Sequence, residues 1–88
     1  MNETQVRMQP TPNPNSMKFV LNKKIVQSGM EMYNNKTEAE KSPVAKQIFE
    51  VAGVEGVFMM QDFISVNKVS SGNWGVIAPQ VMEVIKKL

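Results

Sequence analysis

The chain contains neither cysteine nor histidine, and these two absences exclude a wide range of chemistry. Without Cys there is no disulfide framework, no thiolate metal site and no dithiol redox pair. Without His, the commonest general base and the commonest transition-metal ligand are gone. Aromatic residues are scarce: four Phe, one Tyr and one Trp make up 7% of the 88 residues. The core must therefore be aliphatic, with the eight Met as filler. No apolar run approaches the ~18 residues of a bilayer-spanning helix. Met1 to Gln9 shows neither the apolar centre of a secretory signal nor the Arg/Ser-rich character of a transit peptide, so the expected compartment is the cytoplasm. No charge of one sign dominates, because ten Lys+Arg against eight Asp+Glu leave +2. The lysines are scattered, with pairs only at Lys23-Lys24 and Lys86-Lys87, which reads as a solvated surface rather than a nucleic-acid footprint.

A chain of 88 residues makes one domain, taken here as residues 1–88, around one modest core. Thr4 to Gln9 alternates polar and apolar residues as a half-buried strand does. It stops at Pro10-Thr11-Pro12-Asn13-Pro14-Asn15, where the prolines cannot continue a ladder and the asparagines suit a turn. Met17, Phe19 and Leu21 then alternate with Lys18 and Val20, predicting a second strand paired with the first. Asn22 to Gly29 reads as a flexible loop interrupted by Ile25-Val26, Met30 to Tyr33 as a short edge strand, and Asn34 to Lys41 as a loop.

Ser42-Pro43 opens a helix: Ser caps the free N–H groups, and Pro at the first position lacks only an N–H without a partner. Val44, Ile48 and Val51 form its apolar stripe, and Gly53 suits the left-handed residue that closes it. Val57 to Met60 and Phe63 to Val69 flank Gln61-Asp62 as a hairpin whose turn is wider than two residues, with Ile64 and Val66 facing the core. After a turn at Ser70 to Asn73, with Asn73 as cap, Trp74, Ile77, Ala78, Val81, Val84, Ile85 and Leu88 recur at helical spacing. Pro79 must kink or restart that helix, and Trp74 is expected to anchor the core. The order of strands, helix, hairpin and helix predicts an α+β two-layer sandwich, a mainly antiparallel sheet with two helices on one face.

The chemistry-bearing residues are few. A nucleophile needs an adjacent base, and only scattered carboxylates remain, chiefly Glu50, Glu55 and Asp62. Gly53-Val54-Glu55-Gly56 lacks the length and the Lys-Ser/Thr ending of a phosphate loop. The chain therefore reads as non-enzymatic. Carboxylates suit hard cations rather than sulfide clusters, so Glu55 and Asp62 are at most weak iron ligands. Met30-x-Met32 and Met59-Met60 raise copper, but methionine at such spacing is ordinarily core filler.

Three stretches, in order along nearly the whole chain, resemble the N-terminal domain of the Nfu/NifU-like iron–sulfur scaffold family. They are Thr11-Pro12-Asn13-Pro14-Asn15-Ser16-Met17-Lys18-Phe19, then Ser42 to Phe49 running on through Gly53 to Phe58, and Asp62 to Lys68 followed by Trp74 and Pro79. The resemblance implies an accessory, interaction-type domain of cluster assembly or transfer. Two-domain members join it to a second domain carrying a Cys-x-x-Cys pair. A chain without Cys would hold no cluster itself, and would reach one only through a partner bearing Cys-x-x-Cys or a missing Cys-containing domain. The partner-facing candidates are Pro12, Asn13, Pro14 and Asn15, with Lys18 and the turn at Asp62 beside them. The alternative function is a small basic module that binds nucleic acid through Lys18, Lys23, Lys24 and Lys68, or a general protein-interaction domain unrelated to clusters.

Overall fold

The alternation around Phe19 is a strand in the computed structural model, which describes residues 4–26 and 29–87. Phe19 and Leu21 are buried, whereas Lys18 and Val20 are only half covered. β1 (Val6–Pro10) and β2 (Ser16–Leu21) pair antiparallel across the proline-rich turn. Pro10 is itself the last strand residue, opposite Met17, which the sheet's outer strand tolerates because its N–H can be dispensed with there. β3 (Glu31–Tyr33) follows, then α1 (Lys36–Ala39), α2 (Pro43–Phe49), β4 (Val54–Met59), β5 (Phe63–Lys68) and α3 (Trp74–Lys86).

The five strands form one sheet in the order β1-β2-β5-β4-β3, with every pairing antiparallel. The α+β sandwich is as anticipated, with a third helix added. Asn34 to Lys41 is not all loop. Asn35 accepts a hydrogen bond from the Glu38 N–H at 2.9 Å, and the Glu38 carboxylate accepts one from the Asn34 N–H at 3.0 Å. This reciprocal cap nucleates α1, whose Ala39 is fully buried.

The other caps follow the sequence. Ser42 Oγ accepts from the Ala45 N–H at 3.2 Å, and Asn73 Oδ1 from the Gly75 N–H at 2.8 Å. Gly53 does not close α2, whose C-cap is Glu50; it takes φ +96° in the turn that leads from the helix into β4, where a Cβ would meet Ile77 Cδ1 at 2.9 Å. The positive φ is what demands glycine there. The hairpin begins earlier than expected, at Val54, with a bulge between Val54 and Gly56; its turn spans Met60, Gln61 and Asp62, wider than two residues as anticipated. The loop at Ile25-Val26 is tied down, since Ile25 N–H donates to the Gln61 carbonyl at 2.7 Å and Val26 is buried. The remainder of that loop at Gln27 and Ser28, and Leu88 of the closing helix, lie outside the described residues.

Pro79 does not restart α3, which runs unbroken from Trp74 to Lys86 with the proline inside and exposed. Facing an open side, the ring displaces water rather than core, so the helix loses one hydrogen bond without losing packing.

The core lies between the helices and one sheet face. Phe19, Ile48, Ile64, Val66, Val81 and Ile85 have no exposed surface, each contributing about 1.5–3 kcal/mol of burial. Trp74 packs its edge on Phe19, with centroids 6.5 Å apart. It is half-buried and packed against this core, an anchor at the periphery.

Candidate functional site

The proline-rich turn between β1 and β2 is a hydrogen-bonded unit. Asn13 Oδ1 accepts from the Asn15 N–H at 2.9 Å, and the Asn13 carbonyl from the Ser16 N–H at 3.0 Å. Thr11 Oγ1 accepts from the Asn13 N–H at 3.2 Å. Such side-chain-to-backbone bonds pre-form a turn. Two distant elements then hold it. Lys68 of β5 donates to Asn15 Oδ1 at 2.9 Å, and the Trp74 indole N–H donates to the Pro14 carbonyl at 3.0 Å. Pro12, Asn13 and Pro14 remain exposed, so the turn offers a fixed tip rather than a free arm.

The other candidates do not gather there. Lys18 stands mid-strand on β2, opposite Ser65, on the face that the helices leave open. Its ammonium lies 4.3 Å from the centre of the Phe63 ring, a cation–π contact. Asp62 is at the opposite end of the sheet from the turn: β2 and β5 run antiparallel, and the Asp62 carbonyl accepts from the N–H of Leu21, the last residue of β2, at 2.8 Å. The expectation that Asp62 sits beside the Asn13 and Asn15 turn is therefore corrected. A hairpin's turn and a neighbouring strand's entry loop meet only if the two strands run parallel.

The weak iron pair is kept apart by the length of a strand. Glu55 occupies the bulge at the start of β4 and Asp62 follows its end. At about 3.3 Å per residue the strand keeps them roughly 15–20 Å apart. Among the described residues no three His, Cys, Asp or Glu side chains gather as a metal-binding group. Glu50, at the end of α2, is exposed and joins neither. The donor set does not fit a cluster. The methionines divide: Met59 is core, but Met30 and Met32 are 58% and 51% exposed, so the filler reading is corrected for those two.

The lysines proposed for nucleic acid do not share a surface either. Lys68 is only 9% exposed and turned to Asn15 and Trp74 on the helix side, Lys18 is on the open face, and Lys23-Lys24 lie beyond the end of β2.

What the sequence reading left unassigned is the open face itself. Met32 pairs with Phe58 across β3 and β4, and Phe63 with Val20 across β5 and β2. Phe58 and Phe63 meet diagonally, centroids 6.2 Å apart. Arg7 of β1 is opposite Val20. The signal was in the phase: once Ile64, Val66 and Phe19 are given to the core, Phe63 and Val20 are apolar residues left on the wrong side.

Comparison with known proteins follows the same outline. The family model for the N-terminal part of the scaffold protein Nfu/NifU matches residues 6–88. A Drosophila grimshawi protein named NFU1 iron-sulfur cluster scaffold homolog, mitochondrial, is 41% identical over 81 residues, covering 91% of this chain and 27% of its own length. Its Drosophila erecta counterpart is 40% identical, with 29% of its length covered. The chain thus spans less than a third of these curated relatives. The solution structure of a NifU-like protein from Saccharomyces cerevisiae superposes with a TM-score of 0.85 at 27% identity, over 99% of this chain and 82% of that one. A crystal structure of a Staphylococcus aureus protein gives 0.79 at 30% identity, over 91% and 96%. No described helix is long and apolar enough to cross a membrane.

Proposed function

Because the chain belongs to the Nfu/NifU scaffold N-terminal family, we propose that it is a non-catalytic interaction domain of iron–sulfur cluster assembly or transfer. The observation that carries this reading is the match of residues 6–88 to the scaffold's N-terminal part in a chain with no cysteine. Cluster iron is held by thiolates, so the cluster is cargo here, held by a Cys-x-x-Cys partner or a further Cys-bearing segment. The chain's own contribution is recognition.

The exposed tip at Pro12, Asn13 and Pro14 supports such a role, because a turn already fixed by Lys68 and Trp74 loses little entropy on docking. Asn15 serves indirectly, since its amide oxygen is engaged by Lys68. Lys18 belongs to a different surface, and Asp62 would contribute only to a partner reaching the far end of the sheet. The cytoplasm remains the compartment proposed from composition; the fly relatives are named mitochondrial, and the position of a tagged chain in its host decides between the two.

The test is an affinity capture from host extract with the immobilised chain, the bound proteins being identified by mass spectrometry. Enrichment of cluster-assembly proteins, above all one with a Cys-x-x-Cys pair, is the expected result. Recovery of unrelated proteins alone would overturn the reading.

A further inference from the structure

The sheet face away from the helices carries an apolar line that the core does not use. Met32, Phe58, Phe63 and Val20 follow one another across β3, β4, β5 and β2 through direct or diagonal cross-strand contacts. None of the four belongs to the core cluster or packs against it. Met32 is 51% exposed, and Phe58, Phe63 and Val20 are half-buried; partly exposed apolar side chains are normal singly, but a contiguous line of them marks a contact surface. A shallow depression of about 340 Å³ adjoins the line, bordered by Ser16, Met32, Phe58, Ser65 and Asn67.

Among the described residues, the strand positions of this face carry charge of one sign. Arg7 flanks Val20 and Lys18 flanks Phe63, and neither forms an ion pair with a described residue. The remaining open-face strand positions hold Gln9, Ser16, Ser65, Gly56 and Asn67. The carboxylates adjacent in sequence to open-face residues are Glu31, on the opposite face of β3, and Glu55 and Asp62, in the bulge and the turn at opposite ends of the hairpin.

From this geometry we infer that the open face docks an acidic amphipathic helix of a protein partner, its apolar stripe along Met32, Phe58, Phe63 and Val20 and its carboxylates on Lys18 and Arg7. Three facts select that occupant. Four strands at about 4.8 Å spacing make the line roughly 15 Å long, which matches helix positions i, i+4, i+7 and i+11 at about 1.5 Å rise. A sheet face is commonly covered by helices, as the opposite face of this one already is. A second copy of the chain would set Lys18 and Arg7 against the same cations, whereas an acidic stripe complements them. The inference rests on the reading of the chain as an interaction domain and specifies where one partner element sits.

The experiment uses the full chain, isotope-labelled for NMR, and a synthetic peptide with Leu at i, i+4, i+7 and i+11 and Glu on its flanks. Backbone amides of Lys18, Val20, Phe58, Phe63 and Ser65 should shift on titration. Affinity should fall about tenfold in Lys18→Glu, or when Gln replaces Glu in the peptide, and it should weaken as salt rises. Phe58→Ser should abolish binding. These side chains lie outside the core, and an unchanged amide spectrum elsewhere verifies folding. No shifts at millimolar peptide, shifts confined to the helices or the Pro12 turn, or equal affinity in Lys18→Glu would overturn the proposal. So would self-association through this face. Repeating the affinity capture with the Arg7→Glu, Lys18→Glu double variant separates the two readings. Equal recovery of a cluster-assembly partner by both chains refutes the docking face and spares the function. Failure of the native chain to capture one refutes the function, while the titration still decides the face.

Discussion

Lys68 Nζ lies 2.9 Å from the amide oxygen of Asn15, a residue 53 positions earlier. The lysine is only 9% exposed, and its ammonium also has the Val69 carbonyl at 3.4 Å and the Trp74 ring centre at 6.0 Å. A buried cation solvated by an amide, a carbonyl and a π face is costly to leave without any of them. The contact thereby locks the proline-rich turn to β5.

Removing either partner should therefore loosen the turn. In a double-mutant cycle of Lys68→Met and Asn15→Ala, followed by urea unfolding, the coupling should be about 1–2 kcal/mol. Each variant should also raise amide exchange at Asn15 and Ser16, which donate within the turn. Zero coupling would mean that the bond is an exposed contact of no consequence.

Pro79 makes the opposite prediction. It interrupts α3 at an exposed position, so Pro79→Ala restores a donor to the Gly75 carbonyl without opening a cavity. Stability should rise by about 1–2 kcal/mol, less than the full ~3 kcal/mol helix penalty because proline also restricts the unfolded chain. A lower melting temperature would show that the ring is needed for the path of the helix.

Tyr33 provides a pH handle. Its hydroxyl donates to the Glu31 carboxylate at 2.6 Å, and that hydrogen bond, with burial and the carboxylate charge, raises the phenol above its usual value of 10.0. The folded state thus favours the protonated phenol. The resulting stabilisation is full below pH ~10, the unfolded value, and is lost as pH rises through the higher folded value. The chain has one Tyr, so tyrosinate absorbance reports this group alone. Glu31→Ala should move the midpoint down towards 10; coincident midpoints would sink the assignment.

Much of the fold was legible in local pattern. The phase of Met17, Phe19 and Leu21 set which side of β2 is buried, and Ser42-Pro43 and Asn73 placed two helix starts within the reach of a single side chain. α1 was missed because four residues are too few to show a period, although Asn35 and Glu38 carry the cap. The turn at Pro12 to Asn15 was legible as an ordered turn, and its tip is exposed, but the position of Asp62 at the other end of the sheet depends on strand order, which no local pattern shows.

By itself the sequence determined the types of most elements, the face shared by Phe19 and Leu21 in β2 and by Ile64 and Val66 in β5, and the absence of any thiolate, because backbone propensity, alternation and side-chain chemistry are local properties. The tertiary structure alone decided that β5 lies between β2 and β4. That strand order separates Asp62 from the Asn13 turn, buries Lys68 against Asn15, and lines Met32, Phe58, Phe63 and Val20 across the open face. The physical reason is that strand order and register are settled by contacts between residues far apart in the chain, where burying one common core outweighs the local preference of any single segment.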